Sequence, residues 1–561
     1  MGGIVVSTNI SKQKRDALLN KIQQIKKFIS AGPQDENTAN LLTYIGELTK
    51  EINGKKYGLV FEEHREKIDE LLEENAPVLV EQEDLFIDSG GEMNFLIEGD
   101  NLAALKLLEK THKGKIDVIY IDPPYNTGNK DFIYDDDYVD EEDSFRHSKW
   151  ISFMKQRLFL SKELLINKGL IFISIDDNEG FDLKVLCDEI FGNNNFIANV
   201  IWRKKYGGGK GSNYFVDLHE YILVYAKNKN LIQNFKLDRP KEKSEIFQLE
   251  DEYVKERGKY YIRPLKSGLA LRKTLIYPII CPDGSEITTQ WICGKDTYET
   301  MKKEGRIVFK QLKNGKYNVY KKFYEFDKDG KINPESIFYD LTYNQNGKEE
   351  IKKIFKVSEG REVPFSNAKP TDLIKYILNF IGNDYSTILD FFAGSGTTGH
   401  AVMKLNAEDG GNRKFILCTN NENNICQDVT YQRLKTVITG KRKDGSDYDE
   451  NYKASLKYFK IDYLPIKDKM YYEYADELLE HVKELVELEN AIDFKSNNSV
   501  AIVLDDDELD DFVENIADYP ECKTLYMGHD VLTSYQQEQT IKAHGITINT
   551  VPDYYYRDLA N

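Results

Sequence analysis

The sequence predicts an α/β fold built on a largely parallel sheet. Between Gly90 and Leu223, strand-like apolar runs alternate with helix-like segments, and the runs are Phe95 to Ile97, Asp117 to Ile121, Leu170 to Ile175 and Glu220 to Tyr225. The same alternation returns at Ile388 to Phe392 and at Phe415 to Cys418. Because such alternation is typical of parallel sheets, both stretches are predicted to form one domain that an insertion interrupts.

The chain of 561 residues is long enough for about three or four domains. After Lys227 the alternation of strand-like and helix-like runs weakens, and turns such as Pro282-Asp283-Gly284 become frequent. Near the end of the sequence, short strand-like runs again alternate with helix-like segments. We therefore predict an N-terminal helical segment (1–90), the first half of the main domain (91–230), an inserted α+β domain (231–364), the second half of the main domain (365–460) and a small acidic α/β domain (461–561).

The N-terminal segment has the spacing of an amphipathic helix. Leu18, Leu19, Ile22, Ile25 and Ile29 recur at steps of three and four residues. This stripe is predicted to pack on the main domain, and the alternative is a dimerisation arm.

Charge is divided unevenly along the chain, whose net charge is −18. Residues 201–370 contain 34 Lys and Arg against 23 Asp and Glu, whereas residues 461–561 contain 7 against 23. A basic middle rich in aromatic residues suits duplex DNA, while the acidic tail is predicted to face a protein partner or solvent. The acidic run Asp505 to Glu508 follows a strand and is predicted to begin a helix rather than to hold a metal.

Composition excludes several classes of protein. The mean hydropathy is −0.55, and charged residues interrupt every apolar run, so no transmembrane segment or signal peptide is predicted. The six cysteines form no C-x-x-C pair and have no clustered histidines nearby, which argues against a disulfide framework or a zinc site. We expect a reduced, cytoplasmic protein without membrane association.

A glycine-rich turn, Asp390 to Gly399, follows one strand and precedes a helix through Val402, Met403 and Leu405. Glycines allow the backbone to approach a ligand closely, and the helix N-terminus offers unpaired N–H groups. Glu422 follows the next strand, where a carboxylate can accept hydrogen bonds from ribose hydroxyls. Because the turn lacks the G-x-G-x-x-G spacing, a nucleoside cofactor other than a dinucleotide is favoured.

A second motif, Asp122 to Gly128, directly follows a strand, at the edge of a parallel sheet where ligands bind. Its two prolines fix the backbone and remove two N–H donors, so that the loop offers a carboxylate and bare carbonyls beside Tyr125. Such a surface suits a planar ring with an exocyclic amino group. Asp122 and the Pro123 carbonyl would accept its hydrogens, and Tyr125 would stack on its face.

Together these motifs resemble the S-adenosylmethionine-dependent amino-methyltransferases of DNA. Further matches at Gly99 to Leu102, Ile171 to Glu179 and His219 to Leu223 resemble the adenine-specific modification subunit of type III restriction-modification systems. The specific motifs cover roughly residues 90–230 and 365–430. The catalytic motif precedes the cofactor turn, which is the permuted, β-class order of motifs, and the insertion falls where this family keeps its target recognition domain.

The resemblance implies a Rossmann-like methyltransferase sheet, circularly permuted, and a role for each matching residue. The catalytic set is Asp122, Pro123, Pro124 and Tyr125. The set that binds S-adenosyl-L-methionine is Asp390, Phe392, Gly394, Gly396, Thr397, Glu422, Asp100 and Lys369. Three of these have plainer alternatives: Glu422 as a solvated loop acid, Lys369 as a surface lysine and Asp100 as a helix cap.

The run Trp202 to Ser212 is basic and glycine-rich but lacks the spacing of a nucleoside-triphosphate loop. Arg203, Lys204, Lys205 and Lys210 are predicted to contact DNA phosphates near the flipped base, and the alternative is a flexible surface loop.

The sequence thus predicts a DNA adenine-N6 methyltransferase that acts on a base flipped out of duplex DNA. Cytosine-N4 methylation is the nearest alternative, and a catalytically silent DNA-specificity module is an alternative from another class. A homodimer is expected, together with a restriction subunit that carries helicase and nuclease activity.

Overall fold

In the computed structural model, the described residues are 10–30, 36–53, 61–128, 131–134, 137–140, 142–207, 214–239, 244–358, 360–381, 384–466, 478, 480–495, 497–528 and 530–551. The chain divides into two compact units, Met1–His64 and Arg65–Asn561. None of the helices within these ranges combines the length and the apolar character that crossing a bilayer requires.

The first unit contains two helices, Ile10–Ser30 and Glu36–Asn53. The amphipathic helix predicted there is confirmed. Parts of its apolar stripe remain exposed, since Leu18 and Ile25 keep about half of their surface accessible.

The second unit is organised around a sheet of ten strands. In chain order the strands are Asn75–Glu81 (β1), Met93–Glu98 (β2), Ile116–Ile121 (β3), Leu165–Ile175 (β4), Phe196–Arg203 (β5), His219–Ala226 (β6), Ile337–Phe338 (β7), Thr387–Asp390 (β8), Lys414–Thr419 (β9) and Ser455–Pro465 (β10). Across the sheet their order is β1, β10, β2, β9, β8, β3, β4, β6, β5, β7.

Six neighbouring strands, from β10 to β4, are parallel, and β1 and β6 run antiparallel to them. The α/β class predicted from the sequence is confirmed, with every predicted main-sheet strand present in this sheet. Strand β3 is buried at almost every position, as expected for a parallel strand covered by helices on both faces. The main helices of this unit are Lys67–Glu74, Asn101–His112, Arg146–Leu164, Gly180–Cys187, Asn344–Phe355, Thr371–Ile381, Thr397–Asp409, Gln432–Thr439 and Val482–Asn490.

Strand β1 lies within the segment predicted to be helical. It pairs antiparallel with β10, from Asn75 opposite Pro465 to Glu81 opposite Phe459. Its three central residues are buried, so β1 belongs to the main sheet. The remaining domain boundaries stay predictions.

The region between β6 and β7 forms small sheets of its own. Tyr260–Pro264, Tyr317–Tyr324 and Ile307–Gln311 make a three-stranded antiparallel sheet, next to a hairpin of Ile276–Ile280 and Glu286–Gln290 and the helix Lys295–Lys303. A separate apolar cluster, with Trp291 at 1% exposure, fills the space between these elements.

The C-terminal part contains a parallel sheet of Val500–Val503, Thr524–Met527 and Thr547–Thr550 with helices Asp506–Glu514 and Tyr535–Ala543. The predicted helix start is confirmed, because Asp505 Oδ1 accepts a hydrogen bond of 2.8 Å from Glu508 N.

Candidate functional site

Two loops meet at the carboxyl edge of the sheet because the strands that carry them are neighbours. Strand β8 pairs parallel with β3, with Ile388 opposite Val118 and Leu389 opposite Ile119. The loop after β3 begins at Asp122 and the turn after β8 begins at Phe391, so the two motifs lie side by side. A cavity of about 800 Å³ opens between them.

The cavity wall contains nine of the twelve residues predicted for catalysis and cofactor binding. They are Asp122, Pro123, Pro124, Tyr125, Phe392, Gly394, Lys369, Glu422 and Asp100. The other three, Asp390, Gly396 and Thr397, lie behind this wall and shape the turn.

Two glycines give the turn after β8 its path. Gly394 has φ of 49° and Gly396 has φ of 77°, a region that side chains disfavour. A Cβ on Gly396 would lie 3.1 Å from Thr430 Cγ2. Thr430 Oγ1 in turn donates a hydrogen bond of 2.5 Å to the Gly394 carbonyl, so the helical segment Ile425–Tyr431 after β9 holds the turn in place.

Asp390 fixes the start of the turn. Its Oδ1 accepts from Phe392 N at 3.0 Å and its Oδ2 accepts from Thr398 Oγ1 at 2.5 Å. The carboxyl group is buried, and this burial raises its pKa to about 7. Because its oxygens are engaged inside the protein, Asp390 serves the cavity indirectly, through the conformation of the turn.

Arg433 supports the turn after β8 through buried hydrogen bonds. Its guanidinium is fully buried and donates to Thr397 Oγ1 at 2.8 Å and to Ser395 Oγ at 3.1 Å. It also forms an ion pair of 3.0 Å with Glu350. The same glutamate accepts hydrogen bonds from the backbone N and Oγ1 of Thr371, at the start of the helix after Lys369.

The opposite wall is built on the loop after β2. Asp100 caps the helix Asn101–His112, since its Oδ1 accepts from Leu102 N at 2.7 Å. The buried Arg157 donates to Asn101 Oδ1 at 2.5 Å and pairs with Glu66 at 2.7 Å. The capping role foreseen for Asp100 is therefore present, and its side chain also faces the cavity.

Glu422 is exposed at the rim of the cavity, three residues beyond the end of β9. It begins the short turn Glu422–Asn424, in which Asn423 has φ of 52°.

Four polar side chains form a compact cluster at the catalytic loop. Lys369 Nζ lies 3.0 Å from Asp122 Oδ1, 3.2 Å from Glu220 Oε2 and 2.9 Å from Tyr125 Oη. The Tyr125 hydroxyl donates to Asp122 Oδ1 at 2.9 Å and to Glu220 Oε2 at 3.2 Å. Lys369, predicted to flank the cofactor, thus contacts the catalytic motif directly.

The cluster controls the charge of Asp122. Burial raises the pKa of this carboxyl, Lys369 opposes that rise, and the Glu220 carboxylate adds to it. Burial alone would lower the pKa of Lys369, but Asp122 and Glu220 raise it above its ordinary value, so this ammonium stays charged. The pKa of Asp122 is raised overall, and Lys369 limits that rise.

Buried side chains hold the loop after β3 in place. Trp150 Nε1 donates to the Pro124 carbonyl at 2.8 Å. Asn126 is fully buried, has φ of 57°, and donates through Nδ2 to Glu179 Oε1 at 2.5 Å. His147 Nδ1 lies 2.8 Å from the same Glu179 oxygen, and burial raises the pKa of Glu179 to about 8. These contacts fix Tyr125 between two anchored neighbours.

The structure corrects the placement predicted for Lys204. Its ammonium is buried, 2.8 Å from Asp217 Oδ2 and 3.5 Å from Glu220 Oε1. These two acids compensate the charge of the lysine next to the catalytic cluster. It is therefore not an exposed phosphate contact. Arg203 is half-buried and lies over the Tyr339 ring at 4.5 Å, whereas Lys205 is exposed. Lys210 lies outside the described residues.

Five residues to which the sequence assigned no role contribute to the site: Glu220, Arg433, Arg157, Asn126 and Glu179. Three of them, Glu220, Asn126 and Glu179, lie within motifs quoted from the sequence, which indicated their positions but not their partners. Arg433 and Arg157 are charged residues on buried faces, a signal that requires knowing which faces are buried.

A family model described as DNA methylase matches residues 116–431. The type III restriction-modification enzyme StyLTI Mod subunit of Salmonella typhimurium is 35% identical over 378 residues, which are 61% of this chain and 55% of that one. The type II methyltransferase M.KpnI of Klebsiella pneumoniae is 34% identical, over 65% of this chain and 89% of that one. A crystal structure of an M1.HpyAVI–SAM complex is 15% identical with a TM-score of 0.27, covering 61% of this chain and 98% of the other. The chain spans just over half the length of the StyLTI Mod subunit.

Proposed function

The chain belongs to the DNA methylase family, and on that basis we propose that it transfers a methyl group from S-adenosylmethionine to N6 of an adenine flipped out of duplex DNA. The observation that carries the proposal is the position of Asp122 and Tyr125. Both face a cavity whose other wall is the glycine turn after β8.

The cavity suits a nucleoside cofactor. Gly394 lines it without a side chain, and Asp100 and Glu422 offer carboxylates on the walls beside it. A Cβ on Gly394 would extend toward Phe365, 3.5 Å away, and would occupy space on the cavity side of the turn. These residues would hold S-adenosylmethionine, which, when bound, supplies an electrophilic methyl group.

The chain's own groups would prepare the amine. The Asp122 carboxylate and the Pro123 carbonyl accept its two hydrogens, which directs the nitrogen lone pair away from the loop. Tyr125 stacks on the base, and this stacking offsets part of the few kcal/mol that flipping costs. Lys369 opposes the rise that burial causes in the pKa of Asp122, and the ionised carboxylate would accept the proton that the methylated amine loses.

Adenine is preferred over cytosine because position 122 is Asp, whereas the cytosine-N4 enzymes more often resemble a Ser-Pro-Pro pattern. The C4 amino group of cytosine would still fit the same acceptors, so cytosine-N4 methylation is the second candidate function. A catalytically silent specificity module is the third, and the intact contacts of Asp122 and Tyr125 argue against it.

We further propose that the chain is the modification subunit of a type III restriction-modification system. The likeness to the StyLTI Mod subunit supports this assignment. In this proposal the region 231–364 reads the target sequence, the protein acts as a homodimer, and a restriction subunit is its partner. The protein would work in the cytoplasm, where its DNA substrate lies.

The test uses labelled S-adenosylmethionine with two sets of duplexes. In the variable positions of the first set, adenine is the only base that can accept a methyl group on an amino nitrogen. In those of the second set, cytosine is the only such base. Transfer to the adenine set alone supports the proposal, and transfer to the cytosine set alone supports the second candidate. No transfer to either set, together with retained DNA binding, would identify a silent specificity module.

A further inference from the structure

Asp122 and Glu220 are two carboxylates that share the same pair of hydrogen-bond donors. Lys369 Nζ lies 3.0 Å from Asp122 Oδ1 and 3.2 Å from Glu220 Oε2. The Tyr125 hydroxyl lies 2.9 Å from the first of these oxygens and 3.2 Å from the second. A tyrosine hydroxyl has a single hydrogen, so it donates fully to only one of the two carboxylates at a time. Tyr125 therefore has two hydroxyl orientations available, one toward each acid.

Two buried ammonium groups compensate the charge of the two acids. Lys369 contacts both acids, and Lys204 Nζ lies 3.5 Å from Glu220 Oε1, with the side chains of Lys204 and Glu220 8% and 7% exposed. Repulsion from the Glu220 carboxylate raises the pKa of Asp122 and, after strand β4, that of Asp176. Because the carboxylates of Asp122 and Glu220 repel each other, a proton taken up by either one relieves the repulsion.

Asp122 reaches solvent through the cavity. Its side chain is 26% exposed and lines the cavity wall. In the proposed function S-adenosylmethionine and the flipped base fill this cavity, and the amine loses one proton for the methyl group that it gains. The protein therefore has to hold this proton until the product leaves.

We propose that Asp122 and Glu220 act as a proton-sharing pair across Tyr125, in which Glu220 is the second acceptor of the proton that the methylated amine loses. This inference rests on the proposed function, because it needs an amine that gains a methyl group. The amine nitrogen bonds to the methyl carbon as the carbon–sulfur bond breaks, and the electron pair of that bond stays on sulfur. The nitrogen then gives one proton to Asp122.

The tyrosine hydroxyl carries the proton onward. While the amine occupies Asp122, the hydroxyl donates to Glu220, which leaves a lone pair of the Tyr125 oxygen free to accept. Asp122 passes its proton to this oxygen as the hydroxyl hydrogen moves to Glu220 Oε2. Asp122 is then ionised again, Tyr125 is unchanged and Glu220 is neutral. Once the product leaves, the same path returns the proton to Asp122 and to solvent.

The experiment measures single-turnover transfer by the full chain saturated with S-adenosylmethionine. The target sequence is first obtained by sequencing DNA that the wild-type protein methylates in a host without other methylation. In Glu220→Gln the amide oxygen still accepts the hydroxyl hydrogen, but the side chain takes up no proton. Tyr125→Phe keeps the ring and removes the hydroxyl, and a double variant combines both changes. Glu487→Gln is the matched control, since Glu487 is a buried acid, 3% exposed, that pairs with Lys457 at 2.6 Å.

Each single variant should lose about ten-fold in transfer rate, which is less than the full contribution of a proton acceptor because Asp122 remains. The double variant should be no slower than the slower single variant, since both changes interrupt the same path. The solvent isotope effect in D₂O should be smaller in both single variants than in the wild type, because the hydroxyl hydrogen no longer moves. The Kd for S-adenosylmethionine should stay unchanged in Glu220→Gln.

The pH profile distinguishes a charged partner of Asp122 from a structural support. Glu220→Gln should move the acid limb of the rate profile to lower pH, because the carboxylate no longer raises the pKa of Asp122. The loss of a structural support alone would lower the rate without moving the limb in this direction.

A transfer rate in Glu220→Gln equal to that in Glu487→Gln would overturn the inference and leave the proposed function intact. A loss in the double variant equal to the product of the two single losses would also overturn it, because the two groups would then act independently. If circular dichroism shows that Glu220→Gln is unfolded, a wild-type rate and isotope effect in Tyr125→Phe would overturn the inference. No transfer by the wild type to adenine or cytosine would overturn the proposed function and this inference together.

Discussion

The Lys369 ammonium lies 3.0 Å from the Asp122 carboxylate, although one residue precedes β8 and the other follows β3. The pair also contacts the Tyr125 hydroxyl, which donates to Asp122. The lysine thus connects the segment that leads into the cofactor turn with the loop that would hold the target base. Its charge opposes the rise that burial causes in the pKa of Asp122.

Replacing Lys369 by Gln should move the acid limb of the rate profile to higher pH. Burial raises the pKa of Asp122, and Lys369 opposes that rise. Without the ammonium, Asp122 stays protonated to a higher pH and cannot accept the amine. The measurement is kcat against pH from 5 to 9. Lys375→Gln, on the helix Thr371–Ile381, is the control, because Lys375 pairs with Glu408 and should leave the profile unchanged. An acid limb at the wild-type position in Lys369→Gln would contradict the assigned role.

Replacing Asp122 by Ala should reduce transfer by at least about a hundred-fold, since the amine would lose its charged acceptor. Binding of S-adenosylmethionine, measured by calorimetry, should change only a few-fold because the glycine turn is built on other strands. Transfer near the wild-type rate would show that Asp122 is not the group that holds the amine.

Gly396→Ala should weaken cofactor binding more than a glycine substitution elsewhere does. Its φ of 77° is strained for alanine, and the new Cβ would press on Thr430 at 3.1 Å, which supports the turn. Gly410→Ala is the matched control, with φ of 74° and no atom within 4 Å of the new Cβ. Both variants should lose about 1 kcal/mol of unfolding free energy through backbone strain. Only Gly396→Ala should also raise the Kd for S-adenosylmethionine, and equal values of Kd in the two variants would refute the argument.

Arg433→Met should destabilise the protein by about 3 to 5 kcal/mol, because it leaves the Glu350 carboxylate without its buried partner. Urea unfolding monitored by circular dichroism measures the change. Lys441→Met removes one partner of an exposed pair with Asp447 and should have little effect. A loss no larger than that of the control would mean that the buried network contributes little to stability.

Glu179→Gln should flatten the pH dependence of stability between about pH 4.5 and 8. In the folded protein burial raises the pKa of Glu179 to about 8, whereas its ordinary value is 4.5. Across this window the folded state holds one more proton than the unfolded state, so the wild-type stability falls as pH rises. Glutamine has no proton to lose, and urea unfolding of both proteins at pH 5, 6.5 and 8 compares the slopes. Parallel slopes would show that Glu179 ionises normally in the folded state.

Local patterns were sufficient to predict the parallel strands and the two loops at their carboxyl edge. Strand β1 escaped prediction because its short apolar run lies in a polar segment, and its partner β10 is distant in sequence. The burial of Lys204 also escaped prediction. A lysine in a basic, glycine-rich run is predicted to be exposed, because only the fold brings Asp217 and Glu220 close to it.

The pairing of β1 with β10 also has a consequence for synthesis on the ribosome. Asn75 lies opposite Pro465, so one edge of the sheet cannot form until about 390 further residues have been made. At 5 to 20 residues per second this delay lasts roughly 20 to 80 s. Strand β3 likewise emerges long before β8, its neighbour in the sheet. An unpaired apolar edge is therefore exposed during translation, when nascent chains are most prone to aggregate.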